Sequence, residues 1–369
     1  MESPPVWMWI VGFLLVLGPL VTIHELGHYL VGRWFGVKAD VFSIGFGKEL
    51  TGWTDRRGTR WRISALPLGG YVQFAGDMNP ASQPSEEWLA LPAEERNKTF
   101  QAKPLWQRAL IVAAGPLTNL LLAIAVFAAF NLVMGKPDAA PVVGHFAAQS
   151  AARDAGMKPG DLIVAMDGEA IHDFFDVQER TLMHPGKEVT VLVDRAGERI
   201  SIPVTIGDVT MKDELGNQQR VGLLGIAAKP KFVAVGPVDA VTLSIRQTRM
   251  IVTTMVTGLG QIITRERSIK ELGGPIRIAQ YSGESLSQGP LAFVSFVAMI
   301  SINLAFINFL PIPALDGGHL AFYAAEAIRR KPLGLRSQEW AFRTGVAFVL
   351  ALMLFVTIND IASLPFFGS

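Results

Sequence analysis

The 369-residue sequence predicts a polytopic α-helical membrane protein with about four transmembrane helices and an inserted α/β domain. Half of the residues are hydrophobic and 18% are charged, whereas soluble proteins carry about 25% charged residues. The apolar residues are concentrated in a few long runs, and strand-like patterns lie between them. A formal net charge of +1 gives no indication of a nucleic-acid partner. Because the chain has no cysteine, disulfides and thiolate ligands are excluded, and a metal site needs His, Asp or Glu.

The first transmembrane helix, in residues 1–36, contains an H-E-x-x-H motif at His24-Glu25-Leu26-Gly27-His28. Helix positions four apart share a face, so His24 and His28 can bind one metal ion. Glu25 lies on a neighbouring face, where a carboxylate can accept a proton from a water molecule on the metal. Polar groups inside a membrane span are costly and therefore indicate function, although a chance match at a helix end is the alternative. The apolar run is too long for a signal peptide, which predicts a retained span.

Residues 37–104 are predicted to form a β-region on the cytoplasmic side, with a polar loop over 79–103. The sequence Asp55-Arg56-Arg57-Gly58 predicts a hairpin turn between strands at 50–54 and 60–65. The segment 66–74 is apolar but is interrupted by a proline and paired glycines. Two interpretations of the region stay equal at this point. It is either a small solvated sheet, or a β-element that dips toward the metal and pairs with an extended substrate at its free edge.

The second transmembrane helix is predicted over residues 105–135, with Gly115-Pro116 near its start. Proline in a membrane helix commonly introduces a kink, and this is the favoured interpretation of the pair. Asn119 follows at helical spacing and is a candidate for facing the polar site.

Residues 136–231 are predicted to form an α/β module, with strands at 162–166, 189–194 and 200–206. The module has no catalytic constellation, so a binding role is favoured over catalysis. Residues 232–290 are predicted to contain an interfacial amphipathic helix. Their longest uncharged stretch is short for a span and follows two arginines.

The third transmembrane helix, in residues 291–320, ends in a Pro- and Gly-rich segment that contains Asp316. This aspartate either caps the next short helix or supplies the third metal ligand that the two histidines lack. Catalytic zinc typically has three protein ligands and one open position. His319 is nearby, but a backbone hydrogen bond is favoured over metal binding for this residue. A basic loop and a fourth transmembrane helix are predicted within residues 321–369.

The predicted topology follows from the distribution of basic residues. They are concentrated after the first span and before the fourth: Arg56, Arg57, Arg60, Arg62, Arg329, Arg330, Lys331, Arg336 and Arg343. The positive-inside rule places these loops in the cytoplasm and the region 136–290 outside. The helix ends that carry His28 and Asp316 are then expected to meet on the cytoplasmic side.

Four motifs occur in a fixed order along the chain: His24 to His28, Gly45-Phe46-Gly47, Gly115-Pro116-Leu117-Thr118-Asn119, and Asn308 to Gly317. This order resembles that of the site-2 proteases, which are intramembrane zinc metalloproteases. The insert, with Gly156 to Asp161 and Asp167-Gly168, resembles a PDZ domain. Two further segments are most similar to those of the bacterial branch of the family that includes the regulator of sigma-E protease. They are Gly273-Gly274-Pro275-Ile276 and the Leu-Asp-Gly-Gly-His segment. Many members of that branch have two PDZ domains, whereas this chain has room for one.

The resemblance implies that His24, His28 and Asp316 bind Zn²⁺ and that Glu25 is the general base. It also implies a substrate-binding role for Asn308, and it matches the glycine pair to a membrane-reentrant β-loop that pairs with an unwound substrate. The implied residues of this loop are Gly69, Gly70 and Tyr71. Further candidates for lining the site are Asn119, Gly45, Phe46 and Gly47. The expected fold class is therefore completed by a membrane-associated reentrant β-sheet and a PDZ-like domain.

By the same resemblance, the substrates are single-span membrane proteins that another protease has already trimmed, such as anti-sigma factors or signal-peptide remnants. The expected location is the bacterial cytoplasmic (inner) membrane, with the lipid bilayer as partner, the PDZ-like domain outside and the active site toward the cytoplasm. The predicted function is intramembrane endoproteolysis within regulated intramembrane proteolysis. A non-proteolytic zinc-binding pseudoprotease or chaperone is the alternative, although binding alone would not need Glu25. A cation transporter is disfavoured because the sequence has no internal repeat.

Overall fold

The computed structural model describes residues 4–76, 92–138, 140–212, 218–227, 231–331 and 333–363, so part of the predicted loop over 79–103 lies outside the described residues. The helices are α1 (Val6–Trp34), α2 (Ala93–Arg96), α3 (Leu105–Met134), α4 (Ala151–Asp154), α5 (Phe174–Thr181), α6 (Pro237–Ile263), α7 (Pro275–Ser287), α8 (Pro290–Phe309), α9 (Asp316–Arg329) and α10 (Leu335–Ser363). The strands are β1 (Ala39–Thr54), β2 (Arg60–Phe74), β3 (Lys136–Asp138), β4 (His145–Phe146), β5 (Leu162–Met166), β6 (Glu169–Ala170), β7 (Glu188–Arg195), β8 (Glu198–Thr205), β9 (Gly207–Lys212), β10 (Gln218–Leu223), β11 (Ile226–Ala227) and β12 (Lys231–Val233). The chain forms two compact units, one from Glu2–Val126 with Gly273–Ala362 and one mainly from Phe127–Leu272.

Within the described residues, four helices are long and apolar enough to cross a membrane: α1, α3, α8 and the part of α10 from Arg336 to Ala362. They contain 20 to 30 residues, and a span needs about 20. The prediction of about four transmembrane helices is thereby confirmed. Helix α6 is 27 residues long but is not among the four, because its polar and basic residues lower its mean hydropathy.

The outer faces of these helices are suited to lipid. Val6, Trp7 and Ile10 on α1 are each more than half exposed, which is costly for large apolar side chains in water and favourable in a bilayer. Tryptophans near helix ends are also exposed: Trp7, Trp34, Trp106 and Trp340. Aromatic side chains at the ends of apolar helices are typical of membrane–water interfaces.

Strands β1 and β2 pair antiparallel, and the predicted hairpin turn between them is confirmed. Asp55 closes the turn, since its Oδ1 accepts hydrogen bonds from the backbone N–H groups of Arg57 and Thr59 at 2.8 and 3.0 Å. Its Oδ2 accepts from Trp61 Nε1 at 3.0 Å and from the Tyr29 hydroxyl of α1 at 3.4 Å. The turn is therefore fixed both to its own strand and to the first helix.

Both strands contribute two segments to the sheet. Phe42 is in register with Val72 on one side and with Trp61 on the other, and Trp61 is also in register with Trp53. Segment 70–74 therefore lies at an edge of the sheet that the described residues form. Buried Phe42 packs with Tyr29 of α1 and with Ile111 of α3 in one hydrophobic core, so the sheet has a fixed position against these helices.

The region 232–290 contains two helices, α6 and α7, and the prediction of a single amphipathic helix there was incomplete. Helix α7 begins at Pro275, the last residue of the predicted Gly273-Gly274-Pro275 turn. Its first N–H groups have a partner from α10, because the Asp360 carboxylate accepts from Gly274 N and Arg277 N at 3.0 Å each. A cap supplied by a residue 83 or more positions away leaves no local sequence signal. Helix α7 also packs closely on α1, where a Cβ on Gly12 would lie 2.7 Å from Ser282 O.

In the unit Phe127–Leu272, a four-stranded sheet has the strand order β6-β5-β7-β8. The alternating apolar residues of β7 and β8 are buried against β5 and α5 in one core. Asp161 is 1% exposed and forms a bidentate ion pair with Arg195. Arg195 Nε donates to Oδ1 and Nη2 donates to Oδ2, each at 2.8 Å. The hydrogen bonds from Arg195 hold the pKa of Asp161 below its usual range, although burial acts to raise it.

Helix α6 belongs to this same unit. Arg246 lies between two aspartates next to the start of α5, with Nη1 2.5 Å from Asp173 Oδ2 and Nη2 2.5 Å from Asp176 Oδ1. Further along α6, Gln261 Nε2 donates to Met183 O at 2.6 Å. Polar residues of α6 therefore attach it to the α/β module, while Val238, Val241, Ile245, Val256 and Ile263 are exposed.

Candidate metal centre

The two histidines of the first helix face α3. Their Nε2 atoms are 3.2 Å apart, and His24 is 7% exposed. Gly27 between them makes the close helix crossing possible, because a Cβ there would lie 2.3 Å from Thr118 Oγ1 and 2.5 Å from Ala114 O of α3. The glycine inside the motif therefore lets α3 cover the face that carries both imidazoles.

Asp316 is the first residue of α9 and reaches the histidines directly after the segment that joins α8 to α9. Leu310 has an extended backbone, and Ala314 has a φ of 98°, so the chain leaves α8 and turns sharply before α9 begins. Gly317 permits this compact turn, since a Cβ at that position would lie 2.2 Å from Leu310 O. The N-cap position of α9 is occupied by Leu315 and not by Asp316, so the interpretation of Asp316 as the capping residue is wrong.

His24, His28 and Asp316 form a triangle of ligand atoms. Asp316 Oδ2 is 3.1 Å from His24 Nε2 and 3.5 Å from His28 Nε2. A tetrahedral zinc ion with bonds of about 2.0–2.1 Å holds its ligand atoms about 3.3 Å apart. Asp316 Oδ2 is buried, with no hydrogen-bond partner of good geometry in the described part of the chain. A buried carboxylate oxygen of this kind is stabilised by a cation, and two histidines with one aspartate are suitable ligands for zinc.

The other ring nitrogen of His28 has a partner on α3. Its Nδ1 is 2.8 Å from Ile111 O, and because a carbonyl oxygen only accepts, Nδ1 carries the proton. The Nε2 lone pair of the neutral ring is then available to a metal. Pro116 does not end α3, but it has no N–H for the carbonyl oxygen of Val112, four residues earlier and next to Ile111.

The second nitrogen of His24 also contacts α3. His24 Nδ1 is 3.2 Å from the side-chain amide of Asn119, which is fully buried. Asn119 therefore contacts the His24 ring from behind, and its role in lining the site stays a prediction. Both histidines thus have a polar partner on α3 behind the ring, an arrangement that fixes the orientation of metal-binding imidazoles in proteins.

Glu25 lies beside the triangle and is held by the sheet. Its Oε2 accepts a hydrogen bond from Val72 N of β2 at 3.0 Å. Val72 belongs to the edge segment 70–74, and a Cβ on Gly70 would lie 3.7 Å from Glu25 Cγ. The sheet edge therefore reaches the candidate base, as the interpretation of a β-element near the metal requires.

These groups line one cavity of about 330 Å³. The lining side chains that carry chemistry are His24, Glu25, His28, Asn308, Asp316 and His319. Asn308 lies at the end of α8 and donates from Nδ2 to Leu304 O at 3.0 Å. The ring of His319 contacts Phe322 edge-on, with ring centroids 6.5 Å apart.

Other candidates from the sequence lie away from this cavity among the described residues. Phe46 packs on Gly69 and stacks on Tyr71 at 6.1 Å between ring centroids. Gly45 and Gly47 have φ values of 90° and 87°, and they shape the bend of β1 on either side of Phe46. The prediction that Gly45, Phe46 and Gly47 line the site is therefore not matched by the lining residues. These residues instead pack against β2, where Phe46 contacts Gly69 and the two glycines lie next to Leu66.

Loss of the hydrogen-bond partner of a metal ligand typically reduces metal affinity by about 10- to 100-fold. We expect Gly115→Ala to reduce zinc affinity by more than this. A Cβ on Gly115 would lie 2.3 Å from His28 Nε2 and 2.8 Å from His24 Nε2. Both ligand atoms would have to move, and both are held from behind by α3. Equilibrium competition with a chromophoric zinc chelator measures the affinity of the detergent-solubilised protein.

Gly18→Ala is the matched control for this substitution. A Cβ on Gly18 of α1 would meet only Pro67 O, at the ordinary distance of 3.8 Å, so zinc affinity should stay at the wild-type value. An unchanged affinity in the Gly115 variant would show that the metal does not use the two Nε2 atoms.

Sequence reasoning did not single out several residues that shape the centre: Ile111, Gly115 as a steric element, and Val72. Ile111 and Val72 act through backbone atoms, which leave no signature in side-chain type. One signal was available on α3. Ile111, Gly115 and Asn119 are spaced by four residues and share a helix face, and this face is the one that contacts the histidines.

Comparisons with known proteins agree with this geometry. Residues 12–352 match the family model described as Peptidase family M50. A protein of Agrobacterium fabrum with the provisional name of a zinc metalloprotease is 45% identical over 362 residues, which cover 96% of each chain. One of Rhizobium meliloti, with a name of the same kind, is 44% identical over 355 residues and 95% of each chain. Metalloprotease MmpA of Caulobacter vibrioides is 36% identical over 377 residues and 95% of each chain.

Proposed function

The chain belongs to peptidase family M50, the site-2 protease family, and is a multi-pass zinc metalloprotease; we propose that it cleaves peptide bonds inside the transmembrane segments of single-span substrates. One observation carries this proposal. In the cluster of His24, His28 and Asp316, with Glu25 beside it, the histidines and Glu25 lie on α1, and Asp316 is the first residue of α9, shortly after the end of α8. Both α1 and α8 are apolar enough to span a membrane. A catalytic centre on such helices acts on bonds that enter the membrane.

In this proposal His24, His28 and Asp316 hold the zinc ion and Glu25 is the general base. When bound, zinc polarises the scissile carbonyl and activates water as a nucleophile. Glu25 accepts the proton of the attacking water and transfers it to the leaving nitrogen. The hydrogen bond from Val72 N holds the Glu25 carboxylate at the cavity, where both proton transfers occur.

The sheet edge is proposed to bind the substrate backbone. A transmembrane helix must unwind before its carbonyls are accessible, and its freed N–H and C=O groups then need new partners. Segment 70–74 has one side paired with β1, and its other side reaches the cavity through Val72. Addition of a substrate strand at Gly69, Gly70 and Tyr71 would satisfy the unwound backbone. Asn308 at the cavity wall is proposed to contact the same backbone through its side-chain amide.

The substrate classes proposed are anti-sigma factors and signal-peptide remnants that another protease has trimmed. The α/β module of residues 136–231 is proposed to be PDZ-like, to lie on the extracytoplasmic side and to restrict entry to trimmed substrates. The distribution of basic residues supports a cytoplasmic position for the active site. The named relatives are bacterial, which supports the inner membrane as the location. The process proposed is regulated intramembrane proteolysis.

Reconstitution of the full-length protein with single-span test proteins in lipid vesicles tests this function. We expect cleavage within the apolar segment, mapped by mass spectrometry. Chelation of zinc should stop the reaction, and one equivalent of zinc should restore it. A test protein without its extracytoplasmic domain should be cleaved faster than the full-length version, because the module no longer restricts its entry.

Two outcomes would contradict the proposal. Cleavage confined to segments outside the bilayer would make the protein an ordinary membrane-anchored peptidase. Zinc-dependent binding of the test protein without any cleavage would support the alternative of a pseudoprotease or chaperone.

A further inference from the structure

Asn119 occupies a position behind the metal centre that the proposed mechanism does not use. Its side chain is fully buried on α3, and Nδ2 lies 3.2 Å from His24 Nδ1. Ser301 Oγ of α8 donates to the Asn119 carbonyl oxygen at 2.8 Å, which ties this turn of α3 to a second helix. The side-chain Oδ1 is buried and has no hydrogen-bond partner among the described residues.

The chemistry of His24 decides which amide atom faces the ring. His24 Nε2 points at Asp316 Oδ2 and at His28 Nε2, so Nε2 is the ligand atom. A neutral imidazole that binds metal through Nε2 carries its proton on Nδ1 and must donate from there. An amide NH₂ group cannot accept that proton. A rotation of the Asn119 side-chain amide by about 180° exchanges the positions of Oδ1 and Nδ2, which are similar in size, and places Oδ1 next to His24 Nδ1.

His28 supports this assignment. Its Nδ1 is 2.8 Å from Ile111 O, an atom that only accepts. Ile111 and Asn119 are eight residues apart, about two helical turns, and lie on the same face of α3. One helix would therefore supply an acceptor to each of the two ligand imidazoles, by a backbone oxygen in one case and a side-chain oxygen in the other.

We propose that Asn119 is a positioning residue for His24, whose Nδ1–H donates to the Asn119 amide oxygen, so that Nε2 is free and aimed at the metal. This inference rests on the zinc site of the proposed function. Loss of such a partner typically reduces metal affinity by about 10- to 100-fold. The role belongs to the acceptor oxygen, so a residue that keeps an acceptor at this position should keep the function.

Two substitutions separate the acceptor from mere packing. Asn119→Leu keeps the approximate size and removes the acceptor, and we expect zinc affinity to fall about 10- to 100-fold. Asn119→Asp presents only acceptor oxygens when ionised, and we expect affinity close to the wild type. If Asn119 instead donated to Nδ1, the Asp variant would lose zinc as severely as the Leu variant. Chelator competition on the full-length protein measures these affinities.

Asn131→Leu is the control, because Asn131 is also buried on α3 but contacts Ala240 O and Gln247. Its zinc affinity should be unchanged. Nitrogen-15 NMR of histidine-labelled wild-type protein with zinc gives a readout without any substitution, and His24 should show a protonated Nδ1. An unprotonated Nδ1, or wild-type affinity in the Leu variant, would overturn the proposal. These readouts do not involve cleavage, so a failure of the proteolytic function would be seen separately.

Discussion

Glu25→Gln is expected to abolish cleavage of a membrane substrate while zinc stays bound. Loss of a general base typically reduces the rate about 10²- to 10⁴-fold, and the glutamine amide cannot take the proton of the attacking water. Glutamine has nearly the same shape and keeps an oxygen that can accept from Val72 N, so the structure around the cavity should persist. His24, His28 and Asp316 are unchanged in this variant. Single-turnover cleavage in vesicles and zinc content per protein measure the two effects.

Glu339→Gln provides the same chemical change away from the cavity. Glu339 is exposed on α10 and pairs with Arg343 four residues later, an ion pair that contributes little to stability. Cleavage by this control should equal that of the wild type. Undiminished turnover by the Glu25 variant would exclude Glu25 as the base. Loss of zinc from that variant would instead indicate that Glu25 has a structural role in the metal site.

The transmembrane helices could be predicted from the sequence because a membrane span requires about 20 consecutive, mostly apolar residues. The histidine pair was equally accessible, since helical periodicity alone puts positions 24 and 28 on one face. The hairpin turn at Asp55 could be predicted because its side chain bonds to its own turn. These features depend on residues close together in the chain.

Features that depend on distant partners could not be predicted in this way. The first turn of α7 is capped by Asp360, and no local pattern indicates that partner. The glycines of Gly45-Phe46-Gly47 predict a segment that lines the site, whereas Phe46 packs on Gly69. In both cases the controlling contact is made by a different helix or strand, α10 in the first case and β2 in the second.

The cavity also contains atoms that no residue type specifies. Val72 contributes a backbone N–H to Glu25 and Ile111 a backbone carbonyl to His28. Gly115 contributes the absence of a side chain, because a Cβ there would meet both histidines. A glycine before a proline suggests a helix break in sequence. Its steric role depends on the packing of α3 against α1, which no local sequence pattern indicates.

Asp316→Ala is expected to remove the stabilisation that zinc gives to the folded protein. A ligand at 1,000 times its dissociation constant stabilises a protein by about 4 kcal/mol, and without a third ligand the affinity should fall too far for this effect. Thermal unfolding of the full-length protein with zinc and with a chelator measures the difference. For the wild type the two unfolding temperatures should differ, and for the Asp316 variant they should coincide.

Asp360→Ala distinguishes a ligand from a structural carboxylate. Asp360 is also buried at a helix end, but it accepts from backbone N–H groups of α7. Its loss should lower the unfolding temperature with and without zinc, and the difference between the two conditions should remain. If the Asp316 variant behaved in this way, its carboxylate would act on the first turn of α9 and not on the metal. The distances of 3.1 and 3.5 Å to the two histidine nitrogens favour the metal, because a metal ligand needs proximity to those atoms and a helix-end carboxylate does not.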